Sequence, residues 1–392
     1  MLETALKGSK KYWLWLGFLF GLHVIGVIIY FGWQWPKGLM ITGLGRDTSW
    51  GFYIAQFTYL VGVAASGVMV VLPYYLHHYK KFGRITVLGE FLAISAVVMC
   101  LLFIVVDMGK PDRALNIILH PTPNSILFWD FVVLNGYLMI NLVVGWAALS
   151  AERKGMPTPR WAKPIIYLSI PWAVSIHTVT AFLYCGLPGR HFWLTAILAP
   201  RFLASAFCAG PAILLLVAMI VRKVTKFDAG KEAIQTLGKI ITYCIILNVF
   251  FLALEFFTAY YSNIPGHMQH LTYLFAGLTD HATGVWHGTY VPWMWASVIL
   301  MLAAIVVLVP PKWRANEKVL AFGCILVVIG TWIDKGMGMI AGGFTPNPMH
   351  QVVEYIPTGK ELMISLAVWA TGFLILTILF KVATTVKEEV EA

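Results

Sequence analysis

Residues 86–107 read TVLGEFLAISAVVMCLLFIVVD, an apolar run whose only charged residues are Glu90 and Asp107. About 20 apolar residues in a helix cross the roughly 30 Å hydrocarbon core of a bilayer. Nine further runs of this kind fill the chain, so the sequence predicts an all-α integral membrane protein of about ten transmembrane helices. We place them near residues 12–33, 51–76, 86–107, 126–150, 163–185, 202–222, 235–261, 287–309, 318–336 and 361–383.

The composition agrees with a single integral membrane domain over residues 1–392, because 59% of the residues are hydrophobic and only 12% are charged. The net charge of +10 does not indicate a nucleic-acid partner, since the basic residues lie at helix ends on one side. Orientation and contact with anionic lipid headgroups explain that distribution.

The basic residues also predict the orientation of the chain. One side carries 20 of the 28 Lys and Arg residues, in short loops and at both termini. The other side carries only Lys37, Arg46, Lys110, Arg113, Arg190, Arg201, Lys335 and Lys360. By the positive-inside rule we expect both termini in the cytoplasm, the longer loops outside, and the protein in the cytoplasmic membrane.

A weak internal repeat suggests how the helices are grouped. The second and sixth spans each place a cluster of small residues at mid-span, at 64–70 and 207–213. Small residues let helices approach closely. We therefore expect two pseudo-related four-helix bundles, spans two to five and six to nine, with spans one and ten peripheral.

The five cysteines form no C-x-x-C or C-x-x-C-H motif. This pattern argues against an iron–sulfur cluster, a structural zinc or a covalently attached haem in this chain. We expect no metal site, although four histidines in or beside one outer loop leave that alternative open: His267, His270, His281 and His287.

The outer loops are long and rich in apolar residues, whose exposure to water would be unfavourable. We expect a partner subunit to cover them; the alternative is that the loops pack on one another. The residues that suggest a covered surface are Phe192, Trp193, Leu271, Tyr273, Leu274 and Phe275.

Ionisable groups cost several kcal/mol in hydrocarbon, so those inside the spans are functional candidates. Most share the outer third of the membrane: Asp107, Asp130, His177 and Glu255, with Gln56, Tyr59 and the span-end Asp334 nearby. Glu90 lies near the inner end of span three. Glu90 and Glu255 are candidates for a proton path, although Glu90 near Arg84 also fits a helix-end role.

This layer suits quinone chemistry. A quinone needs an apolar slot, a hydrogen-bond donor at its carbonyl oxygens and a group that exchanges protons. A histidine held by a carboxylate serves the last purpose. We predict that His177 pairs with Asp130 or Asp107, and that Gln56 and Tyr59 contact the quinone. Tyr184 and Arg201 are further quinone-binding candidates.

Two other functions fit the same sequence. A b-type cytochrome with one haem would use His23 and His177, the two histidines well inside spans. A secondary transporter would use ten spans with an internal repeat and broken helices, but only Gly210-Pro211 has the character of such a break.

Two outer motifs carry a resemblance to a known family. Residues 107–113, DMGKPDR, followed by HPTPNS at 120–125 and Trp129, resemble the D-[LM]-G-[RK]-P-x-R … P-x-S … W pattern of the NrfD/polysulfide reductase membrane subunits. Residues 175–179, SIHTV, with later Pro-Gly, Pro-Arg-Phe and Gly residues, are similar to the I-H-T … P-G … P-x-F … G pattern of its ten-helix branch.

The runs GTWIDK at 330–335 and EYIPTGKE at 354–361 resemble most the integral membrane subunit of Dsr complexes, also called Hdr-like menaquinol oxidoreductases. The resemblance implies a subunit without its own metal cofactor. It implies menaquinone near the outer face and an outer ferredoxin-like iron–sulfur subunit. Other membrane and cytoplasmic subunits, a cytochrome among them, would connect it to sulfite or sulfate reduction, with menaquinol oxidation as the direction.

The resemblance also places His177 and Asp107 at quinone-site positions. In several relatives an acidic residue follows the histidine of the I-H-T motif by a few positions, whereas here those positions hold residues 182–184, FLY. Either Asp130 of span four replaces that acid, or protons are handled differently.

Overall fold

The computed structural model describes residues 2–281 and 283–391. Among these residues, ten helices are long and apolar enough to cross a membrane, so the predicted number is confirmed. Spans one to ten cover Lys10–Ile41, Phe52–Leu76, Lys80–Asp107, Ile126–Arg153, Ala162–Cys185, Leu198–Val224, Lys231–Tyr261, Val291–Leu308, Glu317–Phe344 and Gly359–Val390. The N-terminal helix Leu2–Leu6 packs on span ten. We name the side of the two termini the terminal face and the opposite side the loop face.

Spans one and nine change helix type along their length, and span two is interrupted after Ala64. Span one is α-helical over Lys10–Ile29, π-helical over Tyr30–Gln34, α-helical over Trp35–Lys37 and 3-10 over Gly38–Ile41. Span two consists of Phe52–Ala64 and Val68–Leu76; span nine consists of Glu317–Trp332, the π-helix Ile333–Gly338 and Met339–Phe344. The shorter elements are the 3-10 helices Lys80–Phe82, Pro111–Arg113 and His191–Trp193, the α-helices Asn116–Leu119, Pro265–Phe275 and Pro311–Arg314, and the paired strands Leu278–Thr279 and Trp286–His287.

The contacts between spans form two groups. Spans two to five pack on one another, and so do spans six to nine. Span ten packs on spans two, three and four, and span one packs chiefly along span ten. A symmetry relation between the two groups stays a prediction.

The small-residue clusters of spans two and six meet where the two groups join. A Cβ atom on Gly210 would lie only 3.0 Å from the Ser66 nitrogen and 3.1 Å from the Val63 carbonyl oxygen. Both atoms belong to the backbone and cannot move aside. The cluster in span six therefore brings the two helix backbones into close contact.

Span nine is longer than predicted, because the helix continues beyond residue 336 to Phe344. The glycines in this stretch suggest a loop in the sequence, but they serve packing. A Cβ atom on Gly343 would lie 1.9 Å from the Trp193 ring. The consequence is that Asp334 and Lys335 are inside the span, 2% and 5% exposed, instead of at its outer end.

The six loop residues expected to lie under a partner are covered by the chain itself. Trp193 is fully buried, and its indole donates to the Met339 carbonyl at 3.0 Å. The six residues expected to lie under a partner, Phe192, Trp193, Leu271, Tyr273, Leu274 and Phe275, are buried or, for Phe275, half-buried. The prediction that a partner covers them is wrong, because the loops pack on one another.

Candidate functional site

A groove of about 480 Å³ lies between spans two, three, nine and ten. Its walls are almost wholly apolar, and three of its lining residues, Ile329, Leu366 and Phe373, are 43%, 44% and 39% exposed on the outer surfaces of their helices. These positions belong to membrane-spanning segments. The groove therefore opens sideways, toward the lipid, and extends inward from Phe52 at the loop-face end of span two.

Gln56 is the polar centre of this groove. Its side-chain oxygen accepts two indole hydrogen bonds, from Trp332 at 2.9 Å and from Trp369 at 3.1 Å. An indole N–H can only donate a hydrogen bond, so the end of the Gln56 amide that faces the two tryptophans is its oxygen. The Gln56 amide nitrogen is buried and has no hydrogen-bond partner among the described residues.

Two serine hydroxyls in the groove are, like the Gln56 amide nitrogen, buried donors. Ser95 and Ser365 line the groove, are 0% and 2% exposed, and have no partner within the described part of the chain. Tyr59 also lines the groove, with its hydroxyl 3.4 Å from the Val328 carbonyl oxygen. A buried donor without a partner costs about 1–3 kcal/mol. An acceptor entering the groove would recover that cost.

His177 and Asp130 lie elsewhere, on the other side of span two. His177 is fully buried, packs near the Phe207 ring, and neither of its ring nitrogens has a partner in the described residues. Asp130 accepts from the Thr180 hydroxyl at 2.6 Å. The predicted carboxylate–histidine pair is therefore not formed: Asp130 bonds to Thr180, and neither ring nitrogen of His177 reaches it.

Tyr184 lies in the same interior region, where its hydroxyl bonds to Thr58 of span two. Asp107, at the loop-face end of span three, has a buried carboxylate oxygen without a partner among the described residues. It forms neither the predicted pair with His177 nor an ion pair with Lys110 or Arg113. Asp107 is thus joined to neither His177 nor Asp130 by a hydrogen bond.

Arg201 is held by two carboxylates. It contacts Glu255 of span seven and Asp334 of span nine, the latter at 2.6 Å, and its side chain is 8% exposed. Lys335, the neighbour of Asp334, donates to the Phe202 carbonyl at 3.2 Å and lies 4.4 Å from the Phe202 ring centre. Arg201 and Glu255 are consequently engaged in a buried ion cluster and do not line the groove.

Glu90 is buried, 2% exposed, about two turns into span three, and both carboxylate oxygens lack a partner among the described residues. The alternative of a helix-end residue near Arg84 is wrong, because Arg84 donates to the Asp228 carbonyl at 3.2 Å while Glu90 faces the interior. Within the described part of the chain, no hydrogen bond joins Glu90 to Glu255.

Two histidines of the loop between spans seven and eight, His270 and His287, have separate partners. His270 is 4% exposed and its Nδ1 donates to the Thr345 carbonyl at 2.9 Å. Burial lowers the pKa of His270 to about 4, so the ring is neutral. His287 lies 3.3 Å from Glu354. Within the described residues no three His, Cys, Asp or Glu side chains are placed to hold a metal ion.

The family comparison decides the class of the protein. Residues 41–347 match the family described as polysulphide reductase, NrfD. The chain belongs to the NrfD family. This NrfD-family chain is a multi-pass membrane protein. Two of its relatives are named as membrane subunits of a reductase or an oxidoreductase, and a third is named as a reductase subunit.

Three relatives illustrate the similarity. A protein of Halobacterium salinarum, provisionally named as a dimethyl sulfoxide reductase membrane subunit, is 25% identical over 92% of this chain and 88% of its own length. A selenate reductase subunit of Mesobacillus selenatarsenatis is 24% identical over 68% of each chain. The Hdr-like menaquinol oxidoreductase integral membrane subunit of Archaeoglobus fulgidus is 24% identical over 82% of this chain and 76% of its own.

Part of the groove of this NrfD-family chain is formed by residues that the sequence does not mark as candidates. Trp332, Trp369, Ser95 and Ser365 are not candidates in the sequence, since tryptophan and serine are ordinary residues of membrane helices. A signal is present for the tryptophans: an indole N–H deep in an apolar span needs an acceptor, and Gln56 is the polar residue at that depth.

Proposed function

We propose that this chain is the quinone-interacting subunit of a membrane-bound oxidoreductase complex. The quinone, menaquinone or menaquinol, binds in the groove between spans two, three, nine and ten. Electrons pass between it and an iron–sulfur subunit at the loop face.

The observation that carries this proposal is the orientation of Gln56. Two indole N–H groups occupy its carbonyl oxygen, so the amide N–H groups are the end left for a ligand. The oxygen atoms of a quinone ring accept such hydrogen bonds. Ser95 and Ser365 supply two more hydroxyls, which is enough to bind both ring oxygens.

The shape of the groove supports a lipid-soluble ligand. A volume of about 480 Å³ is within the range of small-molecule sites, which are mostly apolar with a few placed polar groups. Because the groove opens between helices toward the lipid, a carrier with an isoprenoid tail enters without crossing the loops.

Menaquinone carries two electrons together with two protons. Tyr59 is the titratable side chain among the groove-lining residues. His177 and Asp130 lie behind span two, so we assign them a part in proton transfer and not in contact with the ring. Asp107 has a similar part at the loop-face end of span three. Glu90 and Glu255 remain proposed members of a proton path.

The direction and partners follow from the relatives and the loop face. All three relatives are named as subunits of reductases or of a menaquinol oxidoreductase, which supports menaquinol as the electron donor. We propose sulfite or sulfate reduction as the linked process because residues 330–335 and 354–361 resemble those of Dsr-type subunits. Exposed apolar residues at the loop face support a docked iron–sulfur subunit there: Leu115, Ile118 and Leu119 are 65%, 57% and 66% exposed. The distribution of basic residues supports placing both termini in the cytoplasm.

Substituting Gln56→Leu tests the proposal. The purified complex should retain less co-purified quinone, and the KM for menaquinol should rise about tenfold, the equivalent of one lost hydrogen bond of about 1.4 kcal/mol. Gln235→Leu is the matched control, because Gln235 bonds to the Arg314 carbonyl at the terminal face. Unchanged quinone content and KM in Gln56→Leu would refute the groove as the site.

A further inference from the structure

A wide, open cavity lies at the loop face, between the ends of spans one and ten. It has a volume of about 910 Å³. The Thr358 hydroxyl donates to the Ile41 carbonyl at 2.9 Å and so ties the two chain segments that form the cavity. This cavity is separate from the groove at Gln56 and shares no lining residue with it.

Two lysines line the cavity and no acidic residue does. Lys37 comes from the end of span one and Lys360 from the first turn of span ten. Neither takes part in an ion pair among the described residues. The nearest acid in sequence, Glu361, is fully buried and turns away, accepting from the Gly43 nitrogen at 3.1 Å and from the Tyr355 hydroxyl.

This pairing of lysines is notable on a face with few basic side chains. Of the eight basic residues on this side, Arg201 and Lys335 are buried in the interior, and Arg190 donates to the Phe344 and Asp47 carbonyls. Two of the remaining five basic residues therefore line this one cavity. Lys360 lies 5.3 Å from the Trp33 ring centre, a cation–π contact that holds its ammonium near the membrane surface.

The rest of the cavity wall is apolar. Ile29 of span one and Met363 of span ten belong to the membrane-spanning segments, one turn or more below the lysines. A free anion would leave these surfaces uncovered. A ligand with an anionic head at the lysines and hydrocarbon below them matches both parts of the wall.

We propose that this cavity binds an anionic phospholipid of the loop-side leaflet, with its phosphate between Lys37 and Lys360 and its acyl chains against Ile29 and Met363. Bound there, the lipid fills the space between spans one and ten. Each basic residue near an anionic lipid contributes about 1 kcal/mol, so removing both lysines should weaken binding by about tenfold to thirtyfold.

Native mass spectrometry of the purified complex tests this inference. The protein is mixed in detergent with phosphatidylglycerol or phosphatidylcholine of identical acyl chains. We expect preferential retention of phosphatidylglycerol, its loss in the Lys37→Gln/Lys360→Gln variant, and its return in Lys37→Arg/Lys360→Arg. The matched control is Lys110→Gln/Arg113→Gln, which removes two exposed basic residues of the same face and should retain the lipid.

Three results would overturn the proposal. Equal retention of the two lipids by the wild-type protein would show that the lysines do not select an anionic head. Displacement of the lipid by inorganic phosphate at low concentration would assign the site to a free anion. Unchanged lipid retention in the double glutamine variant, with loss of a partner subunit from the complex, would assign the lysines to an acidic protein surface.

Discussion

Trp332 and Trp369 come from different spans and donate to the same oxygen atom of Gln56. A side-chain amide has two ends of similar shape, and its rotation by half a turn exchanges donor for acceptor. With both lone pairs of the carbonyl occupied, that rotation would break two hydrogen bonds at once. Each indole therefore helps present the amide nitrogen to the groove.

Replacing the two tryptophans by phenylalanine tests whether both indoles hold the Gln56 amide in this orientation. Trp332→Phe or Trp369→Phe leaves one indole donor, so we expect the KM for menaquinol to change by less than about threefold. The double variant frees the carbonyl and lets the amide rotate, and its KM should match that of Gln56→Leu. Steady-state kinetics of the three variants give the KM values to compare. A single variant with a KM as high as that of the double variant would contradict the idea that both indoles hold the Gln56 amide.

For single residues, the sequence predicts which side chains within the spans are polar but not which way they point. Gln56 and Tyr59 stand out in an apolar helix and do line the groove. His177 and Asp130 stand out equally and lie on the other side of span two. The spans are apolar around most of their circumference, so the sequence carries no periodic signal that distinguishes the groove from the interior.

The π-helix of span nine determines the electrostatics of the interior. It covers Ile333–Gly338 and turns two adjacent charged residues, Asp334 and Lys335, inward. Within this one cluster, two basic side chains, Arg201 and Lys335, then lie with two acidic ones, Asp334 and Glu255. A glycine-rich stretch with two charges looks like the end of a span in the sequence, which is why the predicted end is residue 336. A π-helix has no comparable sequence signature.

Arg201→Gln should be strongly destabilising, by about 3 to 5 kcal/mol, because it leaves an excess of buried negative charge. Arg201→Gln/Glu255→Gln should recover most of that loss, because Asp334 and Lys335 again balance. The measurement is thermal unfolding in detergent, followed by tryptophan fluorescence.

The matched control is Arg222→Gln at the terminal face. Arg222 pairs with Glu317 and Asp228, but its side chain is 31% exposed, so the expected cost is below about 1 kcal/mol. A double variant no more stable than Arg201→Gln would show that the ion cluster is not held by charge balance.

Two features of the whole molecule go beyond the ten separate helices: the contact between the two groups of spans and the packing of the loops on one face. The two groups of spans join through small residues, Gly210 among them, and the loops of one face fold into a packed layer over the spans. The sequence predicts the number of spans because each needs its own apolar run. It does not predict the packed layer, because apolar loop residues suit an internal contact and a partner equally well.

The orientation of the whole molecule is tested by a matched pair of Met→Cys variants. Met40 at the loop face and Met156 at the terminal face are 90% and 54% exposed. Since basic residues concentrate at the terminal face, we expect a membrane-impermeant maleimide to label Met40→Cys in intact cells and Met156→Cys only after permeabilisation. The wild-type chain, with its five native cysteines, gives the background. Labelling of Met156→Cys in intact cells would mean that the terminal face lies outside the cell. The proposed electron-transfer partner would then lie in the cytoplasm, because the groove at Gln56 is near the loop face in either orientation.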